Sequence, residues 1–431
     1  MMRDNGERQN IVSLVIRDCF SLLSQTFSSV SIVQAFLMSI GFASFQLGLM
    51  NTFTNIAMML SAFLFMGKID RVPTKKIVNL NSNLFIAIGI LPVVLVILSL
   101  SGVTLDLWVI FAVVAIAWAA QSFFSGLRMM VDARVAKDIF RPETYGFAFG
   151  IDGIVSNMIG IMGGLLIQQV IEQDSQGHGF GAVFLLSLLF IPGTVIFSKK
   201  LHLIKKDPND LEEKAESLLR SMSYAFKSFS KAFEDKLLRE ISILHIVRGI
   251  NSGMFIFIFP LGVSRFGLPL SYAAYIVIVN AGAAILGHFF VKQFYDRIGT
   301  LKSIYISSSV CILSMAGFIL FRSPVSFLLC LALYVVGNTV VGQSVPIGIF
   351  KVVPGNYLGT LTGVRFIIMQ TAEALVAFTL GILIARLSVT LFFILIALFL
   401  LLQMVFSKRS FDLKKWDVLY GRAADESNPI L

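Results

Sequence analysis

The chain consists of long apolar segments separated by short polar connections. Most of the apolar segments are about 20 residues long, which is the length that crosses roughly 30 Å of hydrocarbon as a helix. The pattern predicts an all-α membrane protein with twelve transmembrane helices. The predicted spans, numbered one to twelve in chain order, cover residues 14–38, 46–66, 78–100, 106–126, 145–170, 181–198, 240–262, 271–292, 303–321, 325–346, 359–385 and 388–407.

One long connection separates two groups of six spans. We therefore predict an N-terminal six-helix bundle over residues 1–198, a cytoplasmic linker over 199–239, a C-terminal six-helix bundle over 240–407 and a cytoplasmic tail over 408–431. Apolar linker residues recur at helical spacing, which predicts an amphipathic helix on the membrane surface, with a partner-docking helix as the alternative. These residues are Met222, Phe226, Phe229, Phe233 and Leu237.

The two groups of spans carry matching short sequences. Asp70-Arg71 follows span two, and Asp296-Arg297 stands at the corresponding place after span eight. A Gly-x-x-x-Gly sequence beginning at Gly146 likewise returns at Gly359. Internal symmetry between two halves built of apolar spans is typical of transporters, in which the substrate lies between the repeats near the middle of the bilayer.

Composition supports a membrane location and excludes several classes of protein. Hydrophobic residues make up 56% of the chain and charged residues 14%, whereas soluble domains carry about 25% charged residues. The apolar runs do not alternate with polar residues, so a β-barrel is disfavoured. The net charge of +10 lies in connections between spans, and with no soluble domain to present it we expect no nucleic-acid partner.

The distribution of lysine and arginine predicts the orientation in the membrane. Basic residues concentrate after span two, after span four and in the tail, and such concentrations mark the cytoplasmic face. Both termini are therefore predicted to be cytoplasmic. The residues concerned are Lys68, Arg71, Lys75, Lys76, Arg128, Arg134, Lys137, Arg141, Lys408, Arg409, Lys414 and Lys415.

Signatures of enzymes and metal sites are missing from the sequence. Cys19, Cys311 and Cys330 are scattered singly in apolar segments, which indicates small buried residues and neither a disulfide nor a metal site. There is no paired histidine, no Asp-rich diphosphate cluster and no Gly-x-x-x-x-Gly-Lys loop. We expect no enzymatic activity and no cofactor.

Residues 1–10 lack a cleavage site, so no removable signal peptide is predicted.

Polar residues inside the spans of the first half are candidates for function, because they are expensive in lipid. Span one carries Ser24, Ser28 and Ser31 on one helical face, and this stripe faces either an aqueous cavity or a dry helix contact. The candidate substrate-binding residues here are Gln25, Ser28, Gln34, Trp118 and Gln121, and Asp152 in span five is a candidate for proton coupling.

The second half carries the more unusual polar residues. Arg248 lies about ten residues into span seven, where a guanidinium should meet either an anionic substrate group or a fixed carboxylate such as Glu240 or Asp152. A permanent ion pair that locks two helices is the alternative. His245 could relay protons, or simply pack with a hydrogen bond. The candidate substrate-binding residues of this half are His245, Arg248, Asn251, Tyr334, Asn338 and Arg365.

Glu373 is the strongest candidate for a proton-coupling residue. It lies about 15 residues past the predicted inner end of span eleven, near the middle of the bilayer, where a carboxyl group is costly unless it has a function or a partner. The alternative is a glutamate that is hydrogen-bonded to a neighbouring helix.

Twelve spans with a long middle connection and a repeated Asp-Arg loop resemble the major facilitator superfamily. Its loop pattern is Gly-x-x-x-Asp-Arg-x-Gly followed by two basic residues. The first copy here matches at Asp70, Arg71, Lys75 and Lys76, but Gly67 is one residue too close and Pro73 replaces the later glycine. The second copy matches at Asp296, Arg297 and Gly299, and lacks the leading glycine and part of the basic pair.

The resemblance implies alternating access, in which two six-helix bundles rock about a site lined by spans one, four, seven and ten. It also implies gating roles for Asp70, Arg71, Arg128, Asp296 and Arg297, with Asp70 pairing with Arg128 and capping the start of span eleven. Exporters of the family carry Gly-Pro-x-x-Gly-Gly in span five. Here Ile159-Gly160-Ile-Met-Gly163-Gly164 keeps the closing glycines and loses the proline, which weakly favours export.

We therefore expect a secondary active transporter that moves a small organic solute, anionic or zwitterionic, with proton coupling. In this hypothesis Arg248 and Arg365 select the solute and Glu373 carries the proton. A flippase for a lipid or lipid-linked substrate is the alternative, and a membrane-embedded enzyme is disfavoured. The short outer loops favour a multi-pass protein of a bacterial inner membrane, and a monomer is expected.

Overall fold

A computed structural model describes residues 5–69, 74–100, 106–139, 145–172, 179–201, 236–352 and 358–411, together with 223, 227, 230, 233 and 234. Within these residues every regular element is a helix, and twelve segments are long and apolar enough to cross a membrane. The predicted class of an all-α protein with twelve spans is thus confirmed. The predicted amphipathic helix of the linker falls largely outside the described residues.

The twelve spans form two groups, which we call the N-half (spans one to six) and the C-half (spans seven to twelve). In chain order the helices are Asn5–Phe27 with Val30–Ser39, Ser44–Ile69, Thr74–Ile88 with Ile90–Leu100, Leu107–Ile139, Tyr145–Glu172, Gly179–Lys199, Lys236–Phe255 with Ile258–Phe266, Tyr272–Leu320 (spans eight and nine), Pro324–Val352, Leu358–Leu383 and Val389–Ser410.

Span four is longer than the apolar pattern indicates. Its helix continues to Ile139, so the sequence-based placement of Arg128, Arg134 and Lys137 in a connection is wrong. No glycine or proline interrupts residues 127–139, and charged residues do not end a helix that projects out of the hydrocarbon. The buried Asn10 donates from Nδ2 to the carbonyl oxygen of Ile139 at 3.2 Å and satisfies one of the terminal carbonyls.

Spans one and seven are each interrupted near their middle. In span one the interruption lies at Ser29, whose backbone is extended at φ −64° and ψ 156°. In span seven it lies before Pro260, which has no N–H to donate to the carbonyl of Ile256 one turn earlier. Gln34 of span one donates from Nε2 to that oxygen at 3.4 Å. The two interruptions are thereby linked across the N-half and the C-half.

Spans eight and nine are two helices that follow each other directly and are separated by a sharp bend at Gly299. Gly299, within the second Asp-Arg sequence, has φ 78° and ψ 168°, a conformation that favours glycine. The connection that the apolar pattern predicts between these spans is therefore shorter than expected.

The two halves meet along two pairs of helices. Span two crosses span eleven so closely that a Cβ at Gly48 would lie 2.7 Å from the Cα of Gly381. Span five packs against span eight, where Gly164 lies against Ile278 and Gly160 against Ala281. Gly163 faces Thr26 of span one. The glycines of span five thus allow it to pack closely between spans one and eight.

The packing differs between the two sides of the membrane domain. We call the side where span six ends and span seven begins the linker side. Toward the opposite side one large buried cluster joins both halves, and it includes Phe36, Phe184, Phe257 and Phe327. Toward the linker side the halves have separate buried clusters, and a small cluster joins Phe63 of span two to Val364 and Ile368 of span eleven. This arrangement is expected of a conformation closed on the opposite side.

Candidate functional site

A polar site lies in the C-half where span seven packs directly on span eleven. Gly249 and Gly253 make this approach possible, because each presents only hydrogen toward the neighbouring backbone. A Cβ at Gly249 would collide with the carbonyl oxygen of Met369, and one at Gly253 would lie 2.9 Å from the carbonyl oxygen of Glu373. A pair of small residues at this spacing is a common device for close helix packing in membranes. It brings the polar residues of the two spans together.

Arg365 and His245 are hydrogen-bonded across this contact. The Nε atom of Arg365 donates to Nε2 of His245 at 2.8 Å, and Nδ1 of His245 lies 2.8 Å from the carbonyl oxygen of Ile241. Since a carbonyl only accepts, Nδ1 carries the proton and Nε2 is free to accept from the guanidinium. Both side chains are buried, with exposed fractions of 8% for Arg365 and 2% for His245. The histidine thus fixes the orientation of the arginine.

Arg248 lies one turn along span seven from His245 and has no such partner. Within the described residues no hydrogen bond or ion pair involves its guanidinium, and the proposed partners Glu240 and Asp152 are not in contact with it. Arg248 is half-buried, so part of its surface is accessible to a ligand. The charges of Arg248 and Arg365 both act on His245 and on each other.

Span ten forms the wall opposite Arg248. The ring of Tyr334 stacks on Phe255 of span seven with centroids 3.8 Å apart and planes at 14°. Tyr334, Asn338 and Gly342 are spaced by four residues and so share one face of span ten. A Cβ at Gly342 would lie 3.9 Å from Nη2 of Arg248. Asn338, which lies between Tyr334 and Gly342 along the helix, is exposed. This face of span ten therefore lies next to Arg248.

Several amide groups near this site have unused hydrogen-bonding capacity. Both polar side-chain atoms of Asn251 and the Oε1 atom of Gln370 are buried and have no partner within the described residues. The two residues are 4% and 5% exposed. Buried polar groups are costly without a partner. These residues stand on the same two spans as Arg248 and Arg365, and their hydrogen-bonding capacity is unused in this conformation.

Glu373 lies on the span eleven side of the same contact. Ser252 lies close to its carboxyl group, and the charge of that group acts on Tyr334. No ion pair involves Glu373 in the part of the chain that the structure describes. Glu373 is half-buried, as Arg248 is. A carboxyl group without a fixed cation and with some accessible surface is placed to gain and lose a proton.

The N-half contains a separate network of charged groups. Arg17 of span one forms a two-point contact with Asp18, at 2.6 and 3.0 Å, and contacts Asp132 of span four at 3.0 Å. Arg128 pairs with Asp132 at 3.4 Å and lies 4.6 Å above the ring of Phe85. Asn81 of span three donates to Asp132 at 2.8 Å. Among the described residues, the ion pairs all lie in this network.

Asp152 of span five joins the network through Asp18. The charges of the two carboxyl groups act on each other, and Ser156 donates to Asp152 at 3.4 Å. The three carboxyl groups of Asp18, Asp132 and Asp152 thus share two arginines, Arg17 and Arg128, so the network contains one acidic group in excess.

The remaining predicted binding residues lie away from the C-half site. Ser28 contacts Ser187 of span six at 3.4 Å, and Ser187 also donates to the carbonyl oxygen of Ser24 at 2.7 Å. These contacts favour a dry helix interface for this part of the serine stripe. Gln25 is exposed and donates to Ser21 at 2.8 Å. Trp118 is buried in the cluster that joins the halves, and Gln121 has a buried Oε1 atom without a partner.

The predicted gate is only partly visible. Asp70 and Arg71 lie outside the described residues, as does the side chain of Asp296, so the expected contact of Asp70 with Arg128 lies outside them as well. Arg297 is exposed beside the bend at Gly299. Arg128, the one predicted gating residue with described contacts, pairs with Asp132 inside the membrane domain.

Some residues of both sites were not identified from sequence. Arg17 and Asp18 stand within span one, and two adjacent charges inside a span are themselves a signal of function. Asp132 was missed because span four was ended too early. The spacing of Gly249 and Gly253 fits close helix packing, but it does not say which helix they face.

The whole-chain architecture and the family profile agree on the identity of the fold. The profile described as Major Facilitator Superfamily matches residues 19–377, which is most of the chain. The protein belongs to the Major Facilitator Superfamily. Members of this superfamily are transporters, so the protein is a multi-pass membrane transporter and not an enzyme. None of the curated proteins matches the sequence significantly.

Solved structures of other superfamily transporters share this fold at low sequence identity. The human organic anion transporter MFSD10 (TETRAN) superposes with a TM-score of 0.67 at 14% identity, covering 94% of this chain and all of that one. A D-xylose-proton symporter gives 0.64 at 12% identity, with 93% and 95% coverage. A bacterial homologue of the iron transporter ferroportin gives 0.65 at 15% identity, with 96% and 100% coverage. Their diverse substrates show that this superfamily fold does not specify the cargo.

Proposed function

We propose that this superfamily transporter moves a small organic anion by alternating access, and that Arg248 and Arg365 bind the negative group. The observation that carries the proposal is the half-buried guanidinium of Arg248, which has no hydrogen-bond or ion-pair partner within the described residues, with a second arginine held beside it by His245. A buried cation without a carboxylate partner is costly unless a ligand supplies the charge. An arginine fork matches carboxylate and phosphate groups geometrically.

The rest of the site suits an organic ligand. Tyr334 and Phe255 offer a stacked aromatic surface next to Arg248. Asn251 and Gln370 offer donors and acceptors without partners. The structural relative MFSD10 is described as an organic anion transporter, which agrees with this assignment, although at 14% identity the likeness concerns the fold.

Proton coupling belongs to the proposal through two carboxyl sites. Glu373 adjoins the binding residues, so a change in its charge alters the electrostatic balance of the anion site directly. The neighbouring carboxyl groups of Asp18 and Asp152 offer a second proton position in the N-half. The position of the basic residues supports a cytoplasmic location of the linker side, and the closing glycines Gly163 and Gly164 of span five weakly favour export.

A thermal-shift screen of the purified protein tests the assignment of the substrate class. The ligands are sorted into organic anions, zwitterions, neutral solutes, cations and lipids, because a bound ligand raises the melting temperature whatever its chemistry. Stabilisation by organic anions that disappears in Arg248→Gln and persists in the exposed control Arg322→Gln supports the proposal. Stabilisation by lipids or lipid-linked sugars alone would contradict the proposal and indicate a flippase instead.

Coupling is tested separately in proteoliposomes with an anion identified by the screen. Glu373→Gln should abolish accumulation driven by a proton gradient while exchange of labelled for unlabelled substrate continues. Wild-type accumulation by Glu373→Gln would refute the role of this residue without affecting the binding assignment.

A further inference from the structure

An apolar groove lies on the lipid-facing surface of the N-half, between spans three and six. Its volume is ≈ 720 Å³, and all twelve lining residues are apolar. Ile86 and Val93 of span three, and Ile196 of span six, line it with exposed fractions of 58%, 44% and 52%. The groove thus opens toward the bilayer and away from the binding site in the C-half.

Backbone irregularities shape the groove. Span three is interrupted at Gly89, and span six contains Pro192 within its helix. A Cβ at Gly89 would lie 2.7 Å from Cδ1 of Ile191, so the two spans touch at the floor of the groove. The groove is therefore closed at its base and open to the surrounding lipid.

Its length and depth match an acyl chain from one leaflet. The lining of span six extends from Leu188 to Ile196, which is about 12 Å along a helix. One leaflet contributes roughly 15 Å of hydrocarbon. The groove begins one turn from the linker-side end of span six and runs toward the middle of the membrane, so a chain that enters it comes from the linker-side leaflet.

Positive charges stand at the end of the groove where a headgroup would lie. Lys199 and Lys200 are exposed at the end of span six, with Nζ of Lys200 4.6 Å from the ring centroid of Phe197. Lys76 is exposed at the start of span three. Leu201, just after span six, and Ile77, at the start of span three, belong to the same buried cluster. The basic end of span six therefore lies near the basic start of span three. Basic groups at the membrane surface attract anionic headgroups.

We propose that this groove is a binding site for one anionic phospholipid of the linker-side leaflet. One acyl chain fills the groove between spans three and six, and the phosphate lies against Lys199 and Lys200. The site is independent of the proposed substrate and of its transport.

Native mass spectrometry of the full-length protein tests the headgroup. Phosphatidylglycerol and phosphatidylcholine with identical acyl chains are added in equal amounts, and the retained lipid is counted. The wild type should retain one phosphatidylglycerol molecule in preference to phosphatidylcholine. In the double variant Lys199→Gln, Lys200→Gln this preference should be reduced about 10- to 30-fold. The matched control is Lys408→Gln with Arg409→Gln, two exposed charges at the end of span twelve.

A second pair of variants tests the groove itself. Val93→Trp fills it, whereas Ile97→Trp places the same ring on the lipid-facing side of span three outside the lining, at a site that is 59% exposed. Val93→Trp should lose the retained lipid and Ile97→Trp should keep it, with melting temperatures measured for both. If Val93→Trp fails to fold, Ile90→Trp repeats the test. Equal retention in both variants, or no preference between the two lipids, would overturn the proposal.

Discussion

The guanidinium of Arg365 donates to Nε2 of His245, whose other nitrogen is bound to the carbonyl oxygen of Ile241. This chain of two hydrogen bonds connects span eleven to the backbone of span seven. It holds one arginine in place beside Arg248, which has no partner in the described residues. The site therefore holds two cations close enough for their charges to act on each other.

His245 is expected to act as a positioning residue. In His245→Ala the buried guanidinium of Arg365 loses its acceptor, and anion binding should weaken about tenfold, with a loss of about 1–3 kcal/mol of stability. His245→Gln offers an amide oxygen at a similar distance and should restore part of the affinity. The control is His288→Ala in span eight. Equal affinities of His245→Ala and His288→Ala would contradict a positioning role.

Close packing of span seven on span eleven should depend on the glycines between them. Gly249→Ala drives a Cβ into the carbonyl of Met369, and backbone cannot move aside as a flexible side chain can. We expect a loss of about 1–3 kcal/mol, seen as a lower melting temperature. Gly282→Ala serves as the control, because the nearest atom to its Cβ is Cδ1 of Ile161 at 3.9 Å. Similar melting temperatures of the two variants would show that this contact is not close in solution.

The carboxyl pair of the N-half should carry an exchangeable proton. Asp152→Asn keeps a polar group of the same size near Asp18 and removes the carboxyl group that can bind a proton, so substrate exchange should persist while proton-driven accumulation falls. The measurement is proton flux with a pH-sensitive dye in proteoliposomes. Asp132→Asn is a contrasting variant, because it breaks contacts of both Arg17 and Arg128 and should lower stability by about 3–5 kcal/mol. Unchanged proton flux in Asp152→Asn would exclude the pair from coupling.

Closure on the opposite side should depend on Gly48. Gly48→Val places a branched side chain at a position where even a single added Cβ would lie 2.7 Å from the Cα of Gly381. The variant should disfavour the closed arrangement by about 1–3 kcal/mol, a shift of roughly 5- to 150-fold in the equilibrium between states. Spin-label distances between Ile40→Cys and Arg265→Cys, both exposed near that side, should lengthen. An unchanged distance distribution would mean that this crossing does not control closure.

Sequence predicts the number of spans well because the demand for about 20 apolar residues in a bilayer is strong and local. It identifies Arg248, Arg365 and Glu373 for a similar reason, since charges are rare inside spans. The end of span four was missed because a helix that leaves the hydrocarbon no longer needs apolar residues. The interruptions of spans one and seven depend on tertiary partners such as Gln34 and Ile256, which no local pattern reveals.

The contacts of the charged residues were equally beyond the sequence. Glu240 and Asp152 were both plausible partners of Arg248, and only the packing shows that Asp152 faces Asp18 in the other half. Helical spacing assigns residues to a face, but the identity of the neighbouring helix is a property of the whole fold. The difference between the proposed anion site of the C-half and the ion-paired network of the N-half can therefore be seen only in the three-dimensional structure.

The most direct test of the anion site is isothermal titration of the purified protein with an organic anion identified by the screen. Removing a charge-assisted hydrogen bond costs about 1.5–3 kcal/mol, so Arg248→Gln and Arg365→Gln should each weaken binding about 10- to 100-fold. Arg322→Gln should bind like the wild type. Wild-type affinity in both Arg248→Gln and Arg365→Gln would contradict the account, because the two guanidiniums would then have no part in holding the substrate.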